Sequence, residues 1–333
     1  MGQQRFDSID CAKGIGILLV VFAHVIATYN VGNKAEEFIT SFHMPLFFVL
    51  SGMLFNGKKS FKEFFIGKIN RLLVPFFFFF NAISVSISLI RSLYKGSILT
   101  DLRPILLAFI NENLYIAGAL WFLLSLFFIS ILFWWITFLS SNKMWASILP
   151  SLALGLLGYF MGKNNIDLPC WFDTSLTCMP YFALGYLLKY YTPILTARIP
   201  DKYNILLAIA CLVCVGLFSG YTCYRANHFN ISIWRVYCCG VLGFFSIFLL
   251  SKTRANRVTG LLFFGKHSII VLAIHQLIMM VIAVAFRYVH FDGWWAAMAS
   301  FTATMACCYL IIPYMLKYMP HVIGQKSLFN RHG

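Results

Sequence analysis

Uninterrupted apolar runs, each about 20 residues long, recur from the start of the chain almost to its end. This length matches a helix that crosses the hydrocarbon core of a bilayer, and it exceeds the roughly ten-residue alternating strands of a membrane barrel. A helix also satisfies its own backbone hydrogen bonds where no water is present. The pattern predicts an all-α polytopic membrane protein with ten spans, at about residues 11–30, 38–55, 72–92, 119–140, 144–161, 175–191, 203–220, 236–251, 263–286 and 294–316.

The remaining segments are short. Residues 104–110 are apolar but too few to span, and we interpret them as an interfacial or re-entrant piece. No connecting segment is long enough for a soluble domain, so we expect residues 1–333 to form a single membrane domain. Asp7 and Asp10 precede the first apolar run and no small-x-small pattern follows it, which argues against a cleaved signal peptide.

Composition supports the membrane assignment. The chain is 60% apolar and only 11% charged, whereas soluble domains carry about 25% charged residues. A net charge of +15 would suggest a nucleic-acid partner in a soluble protein. Here 18 basic and four acidic residues fall on the side of the N-terminus, against eight basic and seven acidic on the other side. The positive-inside rule therefore places both termini in the cytoplasm, and we expect no nucleic-acid partner.

The first helix carries three ionisable residues, Asp10 just before the apolar run and Lys13 and His24 within it, and such groups are costly inside a membrane and usually functional. Asp10 and Lys13 are three residues apart, so they face the same way and can pair. Lys13 and His24 are eleven apart, almost three helical turns, so they share one stripe and lie roughly 16 Å apart. The structural alternatives are an interfacial Asp10–Lys13 pair that snorkels and a hydrogen-bonded core histidine.

The second span begins at the outer side with His43. His24 and His43 can therefore meet at a similar depth across two antiparallel helices, and two imidazoles there suit proton transfer near neutral pH. The alternative is an interfacial histidine beside Pro45.

Further candidates lie at the ends of later spans. Lys68 and Arg71 lie at the end of the inner loop 56–71, at the entrance of the third span, where they suit phosphate recognition or plain contact with lipid headgroups. His275 and Gln276 fall in the middle of the ninth span, and Trp121 begins the fourth at the outer interface, where tryptophan is common. The chain contains no motif of a nucleophilic serine, a nucleotide-binding loop or a metal site, so we expect no metal.

These motifs, taken in order, resemble a known family. The matching stretches are Asp10-x-x-Lys13-Gly14-Ile15-Gly16 leading to His24, Phe42-His43-Met44-Pro45, Lys68-x-x-Arg71, Leu120-Trp121-Phe122-Leu123, Tyr181-Phe182-Ala183-Leu184-Gly185-Tyr186, and Gly265-Lys266-x-Ser268-Ile269 leading to His275. Together they resemble the integral membrane acyltransferase family 3, and within it the fucose 4-O-acetylase-like enzymes. The basic residue before the histidine is usually arginine in this family, and here it is Lys13.

The resemblance implies a ten-helix enzyme of the bacterial plasma membrane that takes an acyl group, usually acetyl, from cytoplasmic acetyl-CoA. The acceptor would be a hydroxyl of a cell-surface or lipid-linked carbohydrate, and acetyl-CoA would be a substrate, with no permanently bound cofactor. We expect His24 to act as general base or transient acyl carrier, and His43 to assist it by proton transfer or by polarising the thioester carbonyl. Asp10 would orient Lys13, and Lys13 would bind the CoA phosphates together with Lys68 and Arg71. The substrate cavity would be lined by His275, Gln276 and Trp121.

Two other classes of protein are compatible with the same pattern. A polytopic exporter or flippase of glycan precursors explains buried His and Lys residues but gives no reason for a basic pair at the cytoplasmic side. A structural membrane subunit leaves the intramembrane ionisable residues unexplained.

Overall fold

The computed structural model describes residues 2–83, 118–141, 143–191 and 199–329. Almost all of them are helical. The helices are α1 (Gly2–Thr28), α2 (Asn33–Thr40), α3 (His43–Met53), α4 (Phe61–Lys68), α5 (Trp121–Leu139), α6 (Met144–Lys163), α7 (Phe172–Tyr190), α8 (Asp201–Phe218), α9 (Ile233–Leu250), α10 (Thr259–Lys266), α11 (Ser268–Tyr288) and α12 (Gly293–Tyr318). The predicted piece 104–110 and the end of the predicted third span lie outside the described residues.

The prediction of an all-α polytopic membrane protein is confirmed. Eight helices in the described part of the chain are long and apolar enough to cross a membrane. The predicted spans 38–55 and 175–191 are also helical, as α3 and α7, but α3 has only 11 residues and α7 is less apolar than the eight.

Helix α3 lies at the centre of the bundle, because all but one of its residues are buried. Close backbone contact joins it to α7. A Cβ on Gly52 would meet the carbonyl oxygen of Phe182, and a Cβ on Gly185 would meet that of Val49. Small residues commonly mediate helix packing in membranes, because they let two helix backbones approach closely. An apolar side chain gains little from moving there, since lipid tails are as apolar as a neighbouring helix.

The inner loop before the third span is shorter than predicted. Helix α4 begins at Phe61, continues through a π-helical turn (Ile69–Leu73) and extends to residue 83, so Phe61–Ile83 is one span of 23 residues. The Ser60 side chain accepts a hydrogen bond from the Glu63 N–H at 3.4 Å and caps the helix. The expectation of a loop over residues 56–71 was therefore wrong, and Lys68 and Arg71 lie inside the span.

The predicted ninth span is broken at His267, where α10 ends and α11 begins. Helix α10 packs backbone to backbone on α1. A Cβ on Gly14 would meet the carbonyl oxygen of Leu261, and a Cβ on Gly265 would meet that of Asp10. Lys13 consequently lies on a segment of α1 held tightly between neighbours.

The loop between α8 and α9, which the sequence predicts to lie on the outer side, forms a small hairpin. Strand β1 (Thr222–Cys223) pairs antiparallel with β2 (His228–Phe229), and a 3-10 turn (Tyr224–Ala226) with Asn227 at φ 47° connects them. Asparagine tolerates this left-handed conformation better than most residues. The hairpin tip is inserted among the helices, since Tyr224 and Asn227 are both buried.

Candidate active site

The N-terminal half of α1 carries a cluster of charged side chains. Lys13 Nζ lies 3.8 Å from Asp10 Oδ1, and the two side chains are 24% and 17% exposed. The structure therefore brings this predicted pair together and leaves it accessible. Arg71 lies within Coulombic range of both Lys13 and Lys68, so the three basic residues form one group.

Lys13, Lys68 and Arg71 concentrate positive charge in one part of the helix bundle. Arg71 is exposed, and Lys68 Nζ lies 5.3 Å from the centre of the Phe64 ring. His267 borders the cluster, where burial and the nearby Lys266 lower its pKa while Asp10 acts in the opposite direction. Such an arrangement suits a ligand with several phosphate charges.

The C-terminal half of α1 carries His24, whose ring lies against that of His275. The ring centroids are 5.3 Å apart and the planes are inclined by 34°. One turn later, Thr28 Oγ1 lies 3.7 Å from the sulfur of Met279, so α1 and α11 run side by side in register. His24 is only partly buried, whereas His275 is 0% exposed.

Hydrogen bonds define the tautomers of two of the three histidines. His43 Nδ1 lies 2.9 Å from the carbonyl oxygen of Ile39, and His275 Nδ1 lies 2.8 Å from that of Val271. A carbonyl can only accept, so both Nδ1 atoms carry a proton and both Nε2 atoms are acceptors in the neutral rings.

The Nε2 atom of His275 has no hydrogen-bond partner among the described residues, although it is fully buried. A buried acceptor without a partner costs free energy, and in native proteins such atoms often mark a functional requirement. Its neighbour is the ring of His24, which can donate a proton to it.

His43 lies near the same level, within Coulombic range of His24. It is 7% exposed and begins α3. The ring placed directly against His24 is thus that of His275, while His43 is the third histidine of the group. Sequence spacing alone suggested the pair on adjacent helices, His24 and His43.

The other two predicted cavity residues have packing partners. Gln276 Oε1 accepts a hydrogen bond from the Ala119 N–H at 3.0 Å and so joins α11 to the segment before α5. Trp121 is 5% exposed, and its ring centroid lies 6.4 Å from that of Phe48 on α3. Their place in a substrate cavity stays a prediction.

One residue with an electrostatic influence on His24 was absent from the sequence-based set. This residue is Arg225, at the tip of the hairpin between α8 and α9. Tyr224 and Asn227 anchor this tip, since Tyr224 Oη lies 3.0 Å from Tyr181 Oη and Asn227 Nδ2 donates to the Gly158 carbonyl at 2.9 Å. The signal available in the sequence was a basic residue on the outer side, where the positive-inside rule makes basic residues uncommon.

The part of the chain that the structure describes contains no group of three or more His, Cys, Asp or Glu side chains that could hold a metal ion. The arrangement offers instead a group of basic residues and a group of histidines, with Lys13 and His24 on the same helix α1. This combination can hold a polyanionic molecule at one end and move a proton at the other.

Comparison with known proteins identifies a family whose model matches nearly the whole chain. The family model described as "Acyltransferase domain" matches residues 6–313, which include every candidate residue above. No curated protein matches the chain. No solved structure matches it either.

Proposed function

The chain belongs to acyltransferase family 3, and on that premise we propose that it transfers an acetyl group from cytoplasmic acetyl-CoA to a hydroxyl of a cell-surface or lipid-linked carbohydrate. In this proposal it is a multi-pass enzyme of the bacterial plasma membrane, similar to the fucose 4-O-acetylases. The match to an acyltransferase domain supports a membrane acyltransferase and gives no support to the alternative of an exporter or flippase.

The observation that carries the proposal is the division of α1 into two chemical ends. Lys13 stands at the inner end with Lys68 and Arg71, and His24 stands at the outer half with His275. The inner group would bind the CoA phosphates, by charge from the two lysines and by the planar fork of the arginine. Asp10 would hold Lys13 in position.

In the proposed reaction His24 acts as the general base. The acceptor hydroxyl oxygen forms a bond to the thioester carbonyl carbon, and its proton passes to His24. The carbon–sulfur bond then breaks, and the CoA sulfur leaves as a thiolate that takes up a proton, so that an ester and free CoA result. His275 Nε2 would accept a hydrogen bond from His24 and orient its ring.

The tautomer of His43 restricts the role proposed for it. Its Nδ1–H is committed to the Ile39 carbonyl, so the neutral ring presents a lone pair at Nε2 and cannot polarise a carbonyl. Proton transfer is therefore the role that its geometry favours, as an acceptor or relay beside His24.

The proposal is tested with membranes that contain the full-length protein and with acetyl-CoA labelled in its acetyl group. We expect the label to appear as base-labile ester in the carbohydrate fraction, and His24→Ala to abolish that transfer at an unchanged protein level. His290→Asn is a matched control, because His290 is exposed in a loop at φ 54° and asparagine adopts that conformation. Unchanged ester formation in His24→Ala would overturn the mechanism, and an absence of acetyl-CoA binding and consumption by the parent protein would overturn the function.

A further inference from the structure

Asn70, between the two basic residues of the third span, binds the C-terminal segment of the chain. Its Oδ1 accepts from the N–H groups of Leu328 at 2.8 Å and Phe329 at 2.9 Å. Its Nδ2 donates to the carbonyls of Phe329 and Ile66, both at 3.0 Å. The side chain is 2% exposed, so this is a buried polar contact in which both ends of the amide have partners.

The segment that reaches Asn70 is folded back against the third span. After α12 ends, the N–H groups of Gln325 and Lys326 both bond to the carbonyl of Pro320, at 3.0 and 2.9 Å. Gly324 has φ 71°, and a Cβ there would lie 2.9 Å from the Asn70 carbonyl oxygen and 3.0 Å from Arg71 Cα. The C-terminal segment therefore packs directly on the backbone of the basic pair.

The contact falls on the one irregular turn of the span. Ile69–Leu73 is π-helical, and its last bond runs from the Val74 N–H to the Ile69 carbonyl. A π-turn is rare, often occurs at functional sites, and re-aims the side chains on either side of it. Lys68 immediately precedes this turn and Arg71 lies within it, so its geometry determines where their charged groups point.

We propose that Asn70 and the segment Ser327–Phe329 form a positioning device that holds the π-turn so that Lys68 and Arg71 face one polyanionic ligand. This inference rests on the proposed function, in which the ligand is acyl-CoA. Asn70 acts through its neighbours and has no contact with the acyl group. The C-terminal segment thus contributes to donor binding although it lies more than 250 positions away in sequence.

The test measures KM for acetyl-CoA and kcat separately in membranes that contain the full-length protein. Asn70→Ala should raise KM about tenfold, because several hydrogen bonds that orient the pair are lost, and it should change kcat less than twofold. Removal of residues 327–333 should raise KM to the same extent. The double variant should resemble either single variant, since both changes break the same contact.

Asn81→Ala is the matched control. Asn81 lies on the same span and donates to the carbonyl four residues before it, that of Phe77, at 2.7 Å, but its side chain is exposed. KM should stay at the parent value in this variant. If Asn70→Ala fails to fold, the truncation carries the test, because Leu328 and Phe329 are exposed apart from this contact.

Two results would overturn the inference while the parent remains active. The first is an unchanged KM in both variants together with a lowered unfolding temperature, which would indicate a purely structural role for the contact. The second is additive effects on KM in the double variant. Failure of the proposed function has a different signature, because the parent protein would then show no turnover of acetyl-CoA at all.

Discussion

Replacement of His275 with asparagine separates a chemical role of its Nε2 atom from a structural role of the ring. The asparagine amide can still donate to the Val271 carbonyl, which the native Nδ1–H reaches at 2.8 Å. It has no basic nitrogen to offer to His24, whose ring centroid lies 5.3 Å from that of His275. The change therefore removes the unpartnered Nε2 atom and keeps the local hydrogen bond.

The effect on stability should be small. One buried acceptor without a partner, Nε2, is exchanged for another, the amide oxygen, so the desolvation cost of about 1–3 kcal/mol is nearly unchanged. The shorter side chain leaves a small cavity, which should lower the free energy of unfolding by about 1 kcal/mol. The effect on catalysis should be far larger, since loss of a positioned acid–base group costs about 10²–10⁴ in rate, or about 3–5 kcal/mol of barrier.

The assay compares the initial rate of ester formation from labelled acetyl-CoA with the thermal unfolding midpoint, in His275→Asn and in the control His290→Asn. We expect the rate to fall at least a hundredfold in the first variant, with a small shift in the midpoint, and neither to change in the second. A His275→Asn protein that keeps its rate and loses several kcal/mol of stability would refute the reasoning, because Nε2 would then have no part in the chemistry.

Three further outcomes follow from other parts of the structure. Gly14→Ala should lower the free energy of unfolding by about 1–3 kcal/mol, because the added Cβ meets the backbone of α10. Gly260→Ala should change the free energy of unfolding by less than about 0.5 kcal/mol, because no atom lies within 4 Å of its added Cβ. Thermal unfolding in detergent checks both variants. Arg71→Lys should raise KM for acetyl-CoA about tenfold with kcat unchanged, since the fork is replaced by a point charge, and steady-state kinetics would show a kcat effect instead if the residue acted in the chemical step. Burial, and to a lesser extent the charge of Glu37, raise the pKa of Glu36 in the folded protein. The contribution of Glu36 to stability is therefore full below its pKa in the unfolded chain and is lost as pH rises through its pKa in the folded protein. Glu36→Gln should match the parent near about pH 4 and unfold at a higher temperature than the parent above the raised pKa, and equal unfolding midpoints across that range would contradict this.

The sequence alone predicts the class of fold and the basic group of the candidate site. Apolar run length determines helical spans, because a bilayer allows a spanning chain few other ways to satisfy its backbone. The same reasoning found Asp10 with Lys13, which needs only helical spacing. The candidates Lys68 and Arg71 were likewise identified from their close spacing in the sequence, although the helix that carries them begins earlier than expected, at the Ser60 cap.

Long-range placement had to come from the tertiary structure. Nothing in residues 11–30 or 263–286 indicates that the ring against His24 belongs to His275, because helix neighbours in a bundle depend on close backbone contacts such as that of Gly14 with α10. Arg225 acts electrostatically on His24 because Tyr224 and Asn227 hold the hairpin tip against α6 and α7.

The sequence by itself predicted which residues make up the two groups of the candidate site: a basic group and a set of histidines in helical spans. Local rules suffice for that, since bilayer thickness, helical periodicity and the sidedness of charge all act over a few turns. The tertiary structure alone decided which histidine faces His24 and that the C-terminal segment docks on Asn70. These contacts join residues some 250 positions apart, and they depend on packing and hydrogen bonding that no local pattern encodes.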